Sequence, residues 1–398
     1  MVEVTSIDHE GRGIAKINGK VVFINNALPG EIVDINIKKE KKNYIEAETK
    51  KIIRKSEKRV KSPCKYFDIC GGCDIMHLSY KGQLLFKENK VKNIISKYLN
   101  IDVKINKIVK CDKEFYYRNK TTFQVNKTLG LYKKNSYDIV PIDKCIISDE
   151  LINNSIDYLK KLNLKEISKI ICRTNTKELM IIIETNDRNL NIESLKSIAS
   201  SIYLKIQNNY IHIYGKKYII ETLNSFKYIV SPQSFFQINL NTSLKLYDKI
   251  KEYVGKNNNV LDLYCGTGSI GIFVSKDNNV TGIEINKSAI EDANKNKILN
   301  NINNISFICG DSGKSINELK LNPNIIIVDP PRSGLNKETL NSILKFKSDK
   351  IIYTSCNPLT MTRDLNYLRK LYEIVEITPF DMFPNTNHVE CLTLLSKK

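Results

Sequence analysis

The sequence predicts three domains: a small N-terminal β-barrel, a central α+β domain and a C-terminal doubly wound α/β domain. The chain has 398 residues, which is enough for two or three separate cores. Short alternating segments broken by turn residues fill its beginning, whereas strand, glycine turn and helix alternate in series from about Leu244. We assign the three domains to residues 1–55, 56–230 and 231–398.

The N-terminal domain contains short strand-like segments such as VVFINN (Val21 to Asn26), separated by turns such as LPG (Leu28 to Gly30). This pattern is typical of a small β-barrel. The stretch from Lys38 to Lys61 carries 11 basic and 4 acidic residues, a local charge of +7. Such a charge suits a phosphate backbone, although a solvated strand edge protected by lysines has the same composition.

The central domain begins with three cysteines in the stretch SPCKYFDICGGCDIMH, Ser62 to His77. Apolar residues at helical spacing then predict an amphipathic helix from Tyr80 to Leu99, with Leu85 and Tyr98 among its apolar positions. Farther on, strand-like runs (YYRNKTTFQV, ELMIIIET) alternate with helical pieces such as NIESLKSIASSI. This mixture predicts an α+β domain.

The C-terminal domain contains four apolar segments that end in turns: NVLDLYCGTGSIGIFVS, NVTGIEIN, NIIIVDPPRSG and DKIIYTSCNP. Apolar strands separated by helical patterns predict a largely parallel sheet. In such sheets ligands bind beyond the carboxyl ends of the strands. We therefore expect the functional site at that edge.

The composition indicates a nucleic-acid partner. The chain has 62 basic and 43 acidic side chains, a net charge of +19, which favours a polyanion through counterion release. A bias in nucleotide composition toward Lys, Ile and Asn codons would produce a similar charge. The ten cysteines do not form a secreted disulfide framework, the first residues lack the apolar core of a signal peptide, and no apolar run is long enough to span a membrane. We expect a cytoplasmic protein without membrane contact.

Two features indicate an adenosyl cofactor. Gly266 and Gly268 in LDLYCGTG allow positive φ angles and close approach of a ligand to the backbone. Glu284 ends the next predicted strand, where a carboxylate can accept hydrogen bonds from both hydroxyls of a ribose. Because no pyrophosphate signal surrounds Gly271, we favour S-adenosylmethionine over a dinucleotide.

Three reactive side chains stand at predicted strand ends. Asp329 ends a buried strand in IIIVDPPRSG. Burying a carboxylate there costs free energy, which suggests that Asp329 has a function. Cys356 ends a strand in IIYTSCNP, and Glu390 begins the last strand in NHVECLTLL. A single cysteine at a strand end is more often a small hydrophobic residue. Its combination with Glu390 and the cofactor motifs indicates catalysis.

The ordered motifs FFQIN (Phe235 to Asn239), DLYCGTG, GIE, DPPR, SCNP and HVE resemble those of the uracil-C5 RNA methyltransferases. The resemblance covers essentially the whole chain and is to the iron-sulfur branch that modifies 23S ribosomal RNA. It implies that the Cys356 thiolate adds to C6 of uracil and that S-adenosylmethionine methylates C5. Glu390 then removes the C5 proton. The uridine should be flipped out of its stack or taken from a single-stranded loop.

The resemblance also implies contacts with the cofactor and the RNA. The implied cofactor-binding residues are Gln237, Tyr264, Glu284 and Asp329. Further candidates are Ser269 and Asp311 near the cofactor and Arg332 near the target nucleotide, although loop capping or a surface charge would explain them equally well. By the same resemblance the N-terminal barrel is a TRAM domain, an RNA-binding module similar to the OB-fold. In the central domain, the residues implied to touch RNA are Arg118 and Lys120, with Tyr116 or Tyr117 either stacking on a base or packing inside the protein.

The three clustered cysteines need a fourth ligand to complete a metal site. His77 would complete a Cys3His zinc site, whereas Cys145 in VPIDKCIIS would complete an all-thiolate site suited to a [4Fe-4S] cluster. In the resembled family the fourth ligand is a distant cysteine after a strand, which implies the ligand set Cys64, Cys70, Cys73 and Cys145. Cys111 lies outside the matching pattern, and a reduced loop without metal is the third interpretation.

Two alternative functions follow from the same features. A tRNA uridine C5-methyltransferase would use the same chemistry, but such enzymes typically lack the TRAM module and the cluster. An iron-sulfur RNA-binding protein without catalysis would be favoured if Cys356 or Glu390 were missing, and both are present. The prediction is therefore a 23S rRNA uridine C5-methyltransferase that acts as a monomer.

Overall fold

The computed structural model describes residues 1–318 and 321–398 and arranges the strands of these residues in four sheets. The N-terminal sheet packs against its own set of buried apolar side chains. The central sheet has a core of its own on one face, while its Met180, Ile182 and Tyr203 join the two-stranded sheet in the core of the C-terminal sheet. Within the described ranges no helix is long and apolar enough to cross a membrane.

The N-terminal sheet has six strands: β1 (Val2–Glu3), β2 (Ser6–Ile7), β3 (Gly13–Ile17), β4 (Lys20–Asn25), β5 (Ile32–Glu40) and β6 (Tyr44–Arg54). Their order is β1-β5-β6-β4-β3-β2. Between the two edge strands, the N–H of Val4 donates to the Glu31 carbonyl and the N–H of Thr5 to the Ile14 carbonyl, so one segment joins both edges and the sheet curls. No ladder among the described residues links β1 to β2, because each already pairs with a different neighbour. The small β-barrel expected from the sequence is therefore found as a curled six-stranded sheet, without a closed barrel among the described residues.

Helix α1 (Tyr80–Leu99) follows the cysteine loop and agrees with the predicted helix. Its Ser79 cap accepts a hydrogen bond from the Gly82 N–H. The buried face packs into the C-terminal core, where Val91 lies in one cluster with Leu365. Leu85 and Tyr98 are exposed instead of buried. The buried face also includes two polar side chains, Gln83 and Lys87.

The central sheet has seven strands in the order β10-β9-β8-β11-β12-β13-β14. The elements of this region are β7 (Lys104–Ile105), β8 (Lys120–Asn126), β9 (Thr128–Tyr132), β10 (Ile139–Pro141), α2 (Glu150–Lys160), β11 (Ile167–Thr174), β12 (Leu179–Thr185), α3 (Glu193–Lys196), β13 (Ser201–Ile206), β14 (Asn209–Gly215), β15 (Ile219–Leu223) and β16 (Phe226–Val230), with a 3-10 turn at Leu164–Glu166. Strands β15 and β16 form a separate hairpin.

Two local predictions in this region are wrong. The segment NIESLKSIASSI forms only one helical turn, α3, and then becomes strand β13, which pairs in parallel with β12. Burial of Ile202 and Tyr203 in the sheet overrides the local helical pattern. The segment YYRNKTTFQV becomes a strand only at Lys120, since the preceding residues form a loop bonded to the cysteine region.

The C-terminal sheet has eight strands in the order β19-β18-β17-β20-β21-β23-β22-β7. Its further elements are α4 (Leu240–Val254), β17 (Asn259–Leu263), α5 (Ser269–Val274), β18 (Asn279–Glu284), α6 (Lys287–Leu299), β19 (Ile305–Cys309), α7 (Ser312–Glu318), β20 (Ile325–Val328), α8 (Lys337–Phe346), β21 (Lys350–Ser355), α9 (Pro358–Leu368), β22 (Tyr372–Phe380) and β23 (Glu390–Lys397), with a 3-10 turn at Ser275–Asp277. Strands β17 to β21 are parallel, which confirms the predicted sheet. Strand β23 is antiparallel to both its neighbours.

Residues from the predicted central domain complete the C-terminal sheet and core. Strand β7 pairs with β22, with Ile105 opposite Ile377. Helix α1 covers the same region through its apolar face. The two parts therefore share one core across the expected boundary at residue 231.

A buried ion pair joins α1 to the loop that follows β22. Lys87 Nζ lies 2.5 Å from Asp381 Oδ1, and both side chains are fully buried. Lys87 also donates to the Phe383 carbonyl, and the Gln83 side-chain oxygen accepts from the Asn385 N–H at 2.8 Å. These bonds fix the loop that leads into β23.

Replacing Lys87 with Met should lower the free energy of unfolding by about 3–5 kcal/mol, because it leaves the Asp381 carboxylate buried without its cation. Urea denaturation followed by circular dichroism measures the change. The matched control is Lys38→Met at the exposed pair of Lys38 with Glu48, where we expect a loss below about 1 kcal/mol. Equal losses in the two variants would contradict a structural role for the buried pair.

Candidate active site

One cavity of about 1130 Å³ lies at the carboxyl ends of the C-terminal strands and extends to the cysteine loop. Its lining includes all six residues that the sequence nominated for catalysis or cofactor binding: Gln237, Tyr264, Glu284, Asp329, Cys356 and Glu390. Arg332 and the four cysteines Cys64, Cys70, Cys73 and Cys145 line it as well. The predicted edge of the sheet thus holds one continuous site.

Cys356 and Glu390 lie at neighbouring strand ends. Strand β21 ends at Ser355, which is paired with Cys391 of β23 in antiparallel register. Cys356 follows Ser355 and Glu390 precedes Cys391, so continuing this register one residue outward sets Cys356 level with Glu390. Pro358 then starts α9 directly after the strand, so Cys356 stands in the turn between them.

Two carboxyl groups share the floor of the site. Glu390 is buried, and Asp329 follows the end of β20 beside it. Burial raises the pKa of both groups, and the charge of Asp329 raises the pKa of Glu390 further. A carboxylate with a raised pKa is a stronger base, as proton abstraction requires.

Nearby groups of opposite charge act on the pKa of the Cys356 thiol. Burial raises the pKa of Cys356 to about 11, the charge of Glu390 adds to this, and the Arg332 guanidinium acts in the opposite direction. Arg332 Nη2 lies 2.9 Å from His388 Nδ1. Burial and the charge of Arg332 lower the pKa of His388 to about 4, so the neutral ring can accept this hydrogen bond. His388 therefore holds Arg332 near the thiol.

The turn after β17 forms the cofactor end of the cavity. Tyr264 and Gly266 both have positive φ angles, 62° and 53°. The Gly266 N–H donates to Glu284 Oε2 at 3.2 Å, which ties the ends of β17 and β18 together. A Cβ on Gly266 would meet no atom within 4 Å, so the backbone is open to a ligand.

Gly271 serves packing and lies inside α5. A Cβ there would lie 3.0 Å from both Asp262 Oδ2 and Ile305 Cδ1, so a side chain at this position would require its neighbours to shift. The Gly271 N–H donates to Asp262 Oδ2 at 3.0 Å. Burial raises the pKa of Asp262 to about 8, and the charge of Asp329 contributes.

The other nominated residues of this domain have local partners. Ser269 Oγ shares a hydrogen bond with the Tyr247 hydroxyl at 2.8 Å. Asp311 Oδ1 accepts from the Gly313 N–H at 2.9 Å near the start of α7. Ser269 and Asp311 are not among the residues that line the cavity. The Asp311 contact matches the capping interpretation, whereas Ser269 bonds to a side chain of α4.

The four nominated cysteines lie together at the opposite end of the cavity. Burial raises the pKa of Cys64, Cys70 and Cys73, and each is raised further by the charge of the Cys145 thiol. Within residues 1–318 and 321–398, no three His, Cys, Asp or Glu side chains form a site for a single metal ion. His77 instead packs against Phe67, with ring centroids 5.3 Å apart and both ring nitrogens without a hydrogen-bond partner.

Cys111 and the nominated RNA contacts occupy separate positions. The Cys111 sulfur accepts from Asn239 Nδ2 at 3.2 Å, away from the other four cysteines. Arg118 lines the cavity, and its Nε donates to the Lys120 carbonyl at 2.8 Å. Tyr117 also lines the cavity, and its hydroxyl donates to the Pro384 carbonyl. Tyr116 has a φ of 55° and lies against Lys144.

Sequence reasoning missed several of these contributors. His388 stands two residues before Glu390 in the HVE motif, which could have identified it. Asp262 stands in the DLYCGTG motif and was likewise not nominated. Lys87 and Asp381 carry no local signal, because they are separated by 294 residues.

Comparison with known proteins identifies relatives over the whole chain. A family model described as tRNA (Uracil-5-)-methyltransferase matches residues 79–398, and a TRAM domain model matches residues 1–50. An uncharacterized RNA methyltransferase of Caldanaerobacter subterraneus is 37% identical, over 100% of this chain and 97% of the relative. One from Staphylococcus aureus is 36% identical, over 99% of this chain and 97% of the relative. The predicted TRAM domain is confirmed.

A solved structure has the same architecture. Pyrococcus abyssi tRNA (uracil-54, C5)-methyltransferase, in complex with S-adenosyl-L-homocysteine, superimposes with a TM-score of 0.80 at 28% sequence identity. The match covers 99% of this chain and 100% of that chain. The curled N-terminal sheet, the central domain and the C-terminal sheet therefore occur together in a second protein.

Replacing Arg332 with Ala should slow the alkylation of Cys356 by iodoacetamide several-fold at about pH 8, because loss of the guanidinium raises the thiol pKa further. In the unmodified protein the alkylation rate should rise with pH up to about 11, since only the thiolate reacts. Peptide mass spectrometry follows Cys356 specifically.

The control for this measurement is Arg369→Ala, which removes a guanidinium at the far end of α9, where Arg369 donates to the Leu99 carbonyl. This variant should alkylate at the unmodified rate. Slowing by Arg369→Ala equal to that by Arg332→Ala would contradict a local effect on the thiol.

Proposed function

Because the chain belongs to the family of RNA uracil-5-methyltransferases, we propose that it methylates C5 of a uridine in 23S ribosomal RNA. The observation that carries this proposal is the meeting of a thiol, a buried carboxyl group and a glycine turn in one cavity. The thiol is Cys356, the carboxyl group is Glu390 and the turn contains Gly266. S-adenosylmethionine, when bound, supplies an electrophilic methyl group.

The first task of the protein is to activate the uracil ring. The Cys356 thiolate forms a bond to C6, and the π electrons of the C5–C6 double bond shift toward the C4 carbonyl to give an enolate. This enolate makes C5 nucleophilic. The resting thiol is mostly protonated, because its pKa is about 11. Arg332 opposes this and stabilises the thiolate form.

The second task is to restore the ring after C5 has received the methyl group. Glu390 removes the proton from C5, the electrons re-form the C5–C6 double bond, and the bond between C6 and the Cys356 sulfur breaks. The register that sets Glu390 opposite Cys356 supports this pairing of roles. The neighbouring Asp329 carboxylate raises the proton affinity of Glu390.

The cofactor fits the end of the cavity that contains the glycine turn. Glu284 has two oxygens at this edge, which accept from the backbone N–H groups of Gly266 and Asn286 and retain lone pairs for ribose hydroxyls. Tyr264 and Gln237 line the same end, as does Asp329. We assign the cofactor-binding roles to these four side chains.

We further propose that Cys64, Cys70, Cys73 and Cys145 hold a [4Fe-4S] cluster. Four thiols that border one cavity, with Cys145 raising the pKa of the other three, fit an all-thiolate donor set. A zinc ion needs four ligands at about 2.3 Å, which brings them much closer together than a four-iron cluster does. The packing of His77 against Phe67 also argues against the Cys3His alternative.

A uridine in tRNA is the second candidate substrate. The Pyrococcus abyssi enzyme, whose name gives uracil-54 of tRNA as its target, aligns with 99% of this chain and therefore has a counterpart of the N-terminal module. The expectation that tRNA enzymes lack this module does not hold for that enzyme. The module therefore does not discriminate between the substrates, and a direct test is required. The monomeric state and the cytoplasmic location stay predictions from the sequence.

Transcripts of 23S rRNA and of tRNA made with 5-fluorouridine should separate the candidates. Fluorine at C5 cannot be removed as a proton, so the bond between Cys356 and C6 should persist as a covalent adduct, seen as a slower band in a denaturing gel. We expect an adduct with 23S rRNA and none with Cys356→Ala. On ordinary RNA, Glu390→Gln should transfer the methyl group but release the product at least ten-fold more slowly.

The control for the adduct is Cys309→Ala, which removes an exposed cysteine outside the cavity and should behave as the unmodified protein. An adduct that survives Cys356→Ala would refute the proposed nucleophile. An adduct with the tRNA transcript and none with the 23S rRNA transcript would show that tRNA, and not 23S rRNA, is the substrate. Normal product release by Glu390→Gln would refute the proposed base.

Protein purified without oxygen should be brown, with broad absorption near ~400 nm from charge transfer between thiolate and iron. The change Cys145→Ser should abolish most of this absorption, because it removes one of four ligands. The matched variant Cys111→Ser should retain it. A colourless protein that contains one zinc ion would refute the cluster.

A further inference from the structure

The turn between β9 and β10 presents two tyrosines at the rim of the active-site cavity. Tyr132 ends β9 and lines the cavity together with Lys133 and Asn135. Tyr137 is 88% exposed, and its ring meets that of Tyr132 edge to face, with centroids 5.6 Å apart. One broad ring face of Tyr137 is thus open to solvent next to the cavity.

We propose that Tyr132 and Tyr137 form a stacking platform for the single-stranded nucleotides next to the target uridine. This inference rests on the proposed function and adds a second RNA-binding element to the same site. Aromatic rings bind nucleobases of any sequence, because every base has a π face. The platform would therefore hold the RNA strand without selecting its sequence.

The charges around the cavity support an RNA strand at this rim. The central side of the lining carries the cations Arg118, Lys133 and Lys144, whereas the carboxylates Glu284 and Glu390 lie on the catalytic side. Phosphate groups are attracted to the first side and repelled from the second. Since the tyrosine pair stands beside Lys133, the bases of a strand that enters there meet the rings.

The turn is held rigidly by the cysteine loop. The Gly71 N–H donates to the Tyr132 carbonyl and the Lys134 N–H donates to the Ile69 carbonyl, both at 2.9 Å. A Cβ on Gly71 would lie only 3.3 Å from the Tyr132 carbonyl oxygen, which reflects how closely the loop and the turn pack. A surface that is already ordered loses little entropy when it binds.

The chain contains no tryptophan, so Tyr137→Trp introduces a single fluorescent reporter. Titration with a single-stranded (rU)12 oligonucleotide should quench its fluorescence by at least about half, as stacking on a base does. A 12-base-pair duplex should quench it little, because its bases are stacked already. Tyr218→Trp is the control, since Tyr218 is also partly exposed but lies between β14 and β15, outside the turn that carries Tyr132 and Tyr137.

Binding of (rU)12, measured by fluorescence anisotropy, should weaken about ten-fold in Tyr137→Ala and be retained in Tyr137→Phe, the range expected for one stacked base. Tyr218→Ala should bind as the unmodified protein does. On a 23S rRNA transcript, Tyr137→Ala should raise KM and leave kcat unchanged.

The outcomes separate the platform from the enzyme. The platform would be overturned if (rU)12 did not quench Tyr137→Trp and if Tyr137→Ala bound RNA as tightly as the unmodified protein. If the adduct through Cys356 still formed, the proposed function would stand. Quenching by (rU)12 without any adduct would support the platform and overturn the proposed function. Quenching of Tyr218→Trp to the same extent would refute the platform as a local site.

Discussion

The antiparallel position of β23 between β21 and β22 is the constraint on which the active site depends. In a parallel sheet all strands end at one edge, so only residues that follow strands can meet there. Because β23 runs in the opposite direction, its first residue, Glu390, reaches the edge where β21 ends and Cys356 follows. A parallel β23 would put Glu390 at the other edge of the sheet, a full strand length away. The proposed nucleophile and base thus meet through topology.

Because β23 is reversed, the loop between β22 and β23 determines where Glu390 enters the candidate active site. The loop begins with Asp381, whose carboxylate is paired with Lys87 of α1, and it continues through Asn385, which is bonded to Gln83. It ends with His388, which accepts a hydrogen bond from Arg332. A segment from the first quarter of the chain therefore fixes the position of residues near its end. The shared core between α1 and the C-terminal sheet follows from the same requirement.

The sequence predicts the strand ends of the C-terminal domain well, because buried parallel strands are short apolar runs that stop at glycine or proline. Asp329 and Cys356 follow such runs directly, and their meeting at one edge needs only the parallel topology. Contacts between distant segments leave no local pattern, so the pair of Lys87 with Asp381 could not be predicted. Arg332 and His388 each stand in a sequence motif, but their pairing depends on the fold. The same reason accounts for β13, where pairing with β12 overrides a helical pattern.

The two ends of the cavity carry different charges and therefore favour different parts of the ligands. Carboxylates concentrate at the catalytic end, where they favour the cationic sulfonium group of S-adenosylmethionine and oppose phosphate. Uracil is neutral, so a uracil base can enter this end while its phosphates stay outside, near Arg118 and Lys144. The same carboxylates raise the pKa of the Cys356 thiol, which would suppress catalysis if no cation were present. Arg332, held by His388, supplies that cation beside the thiol, where the uracil base would bind in the proposed reaction.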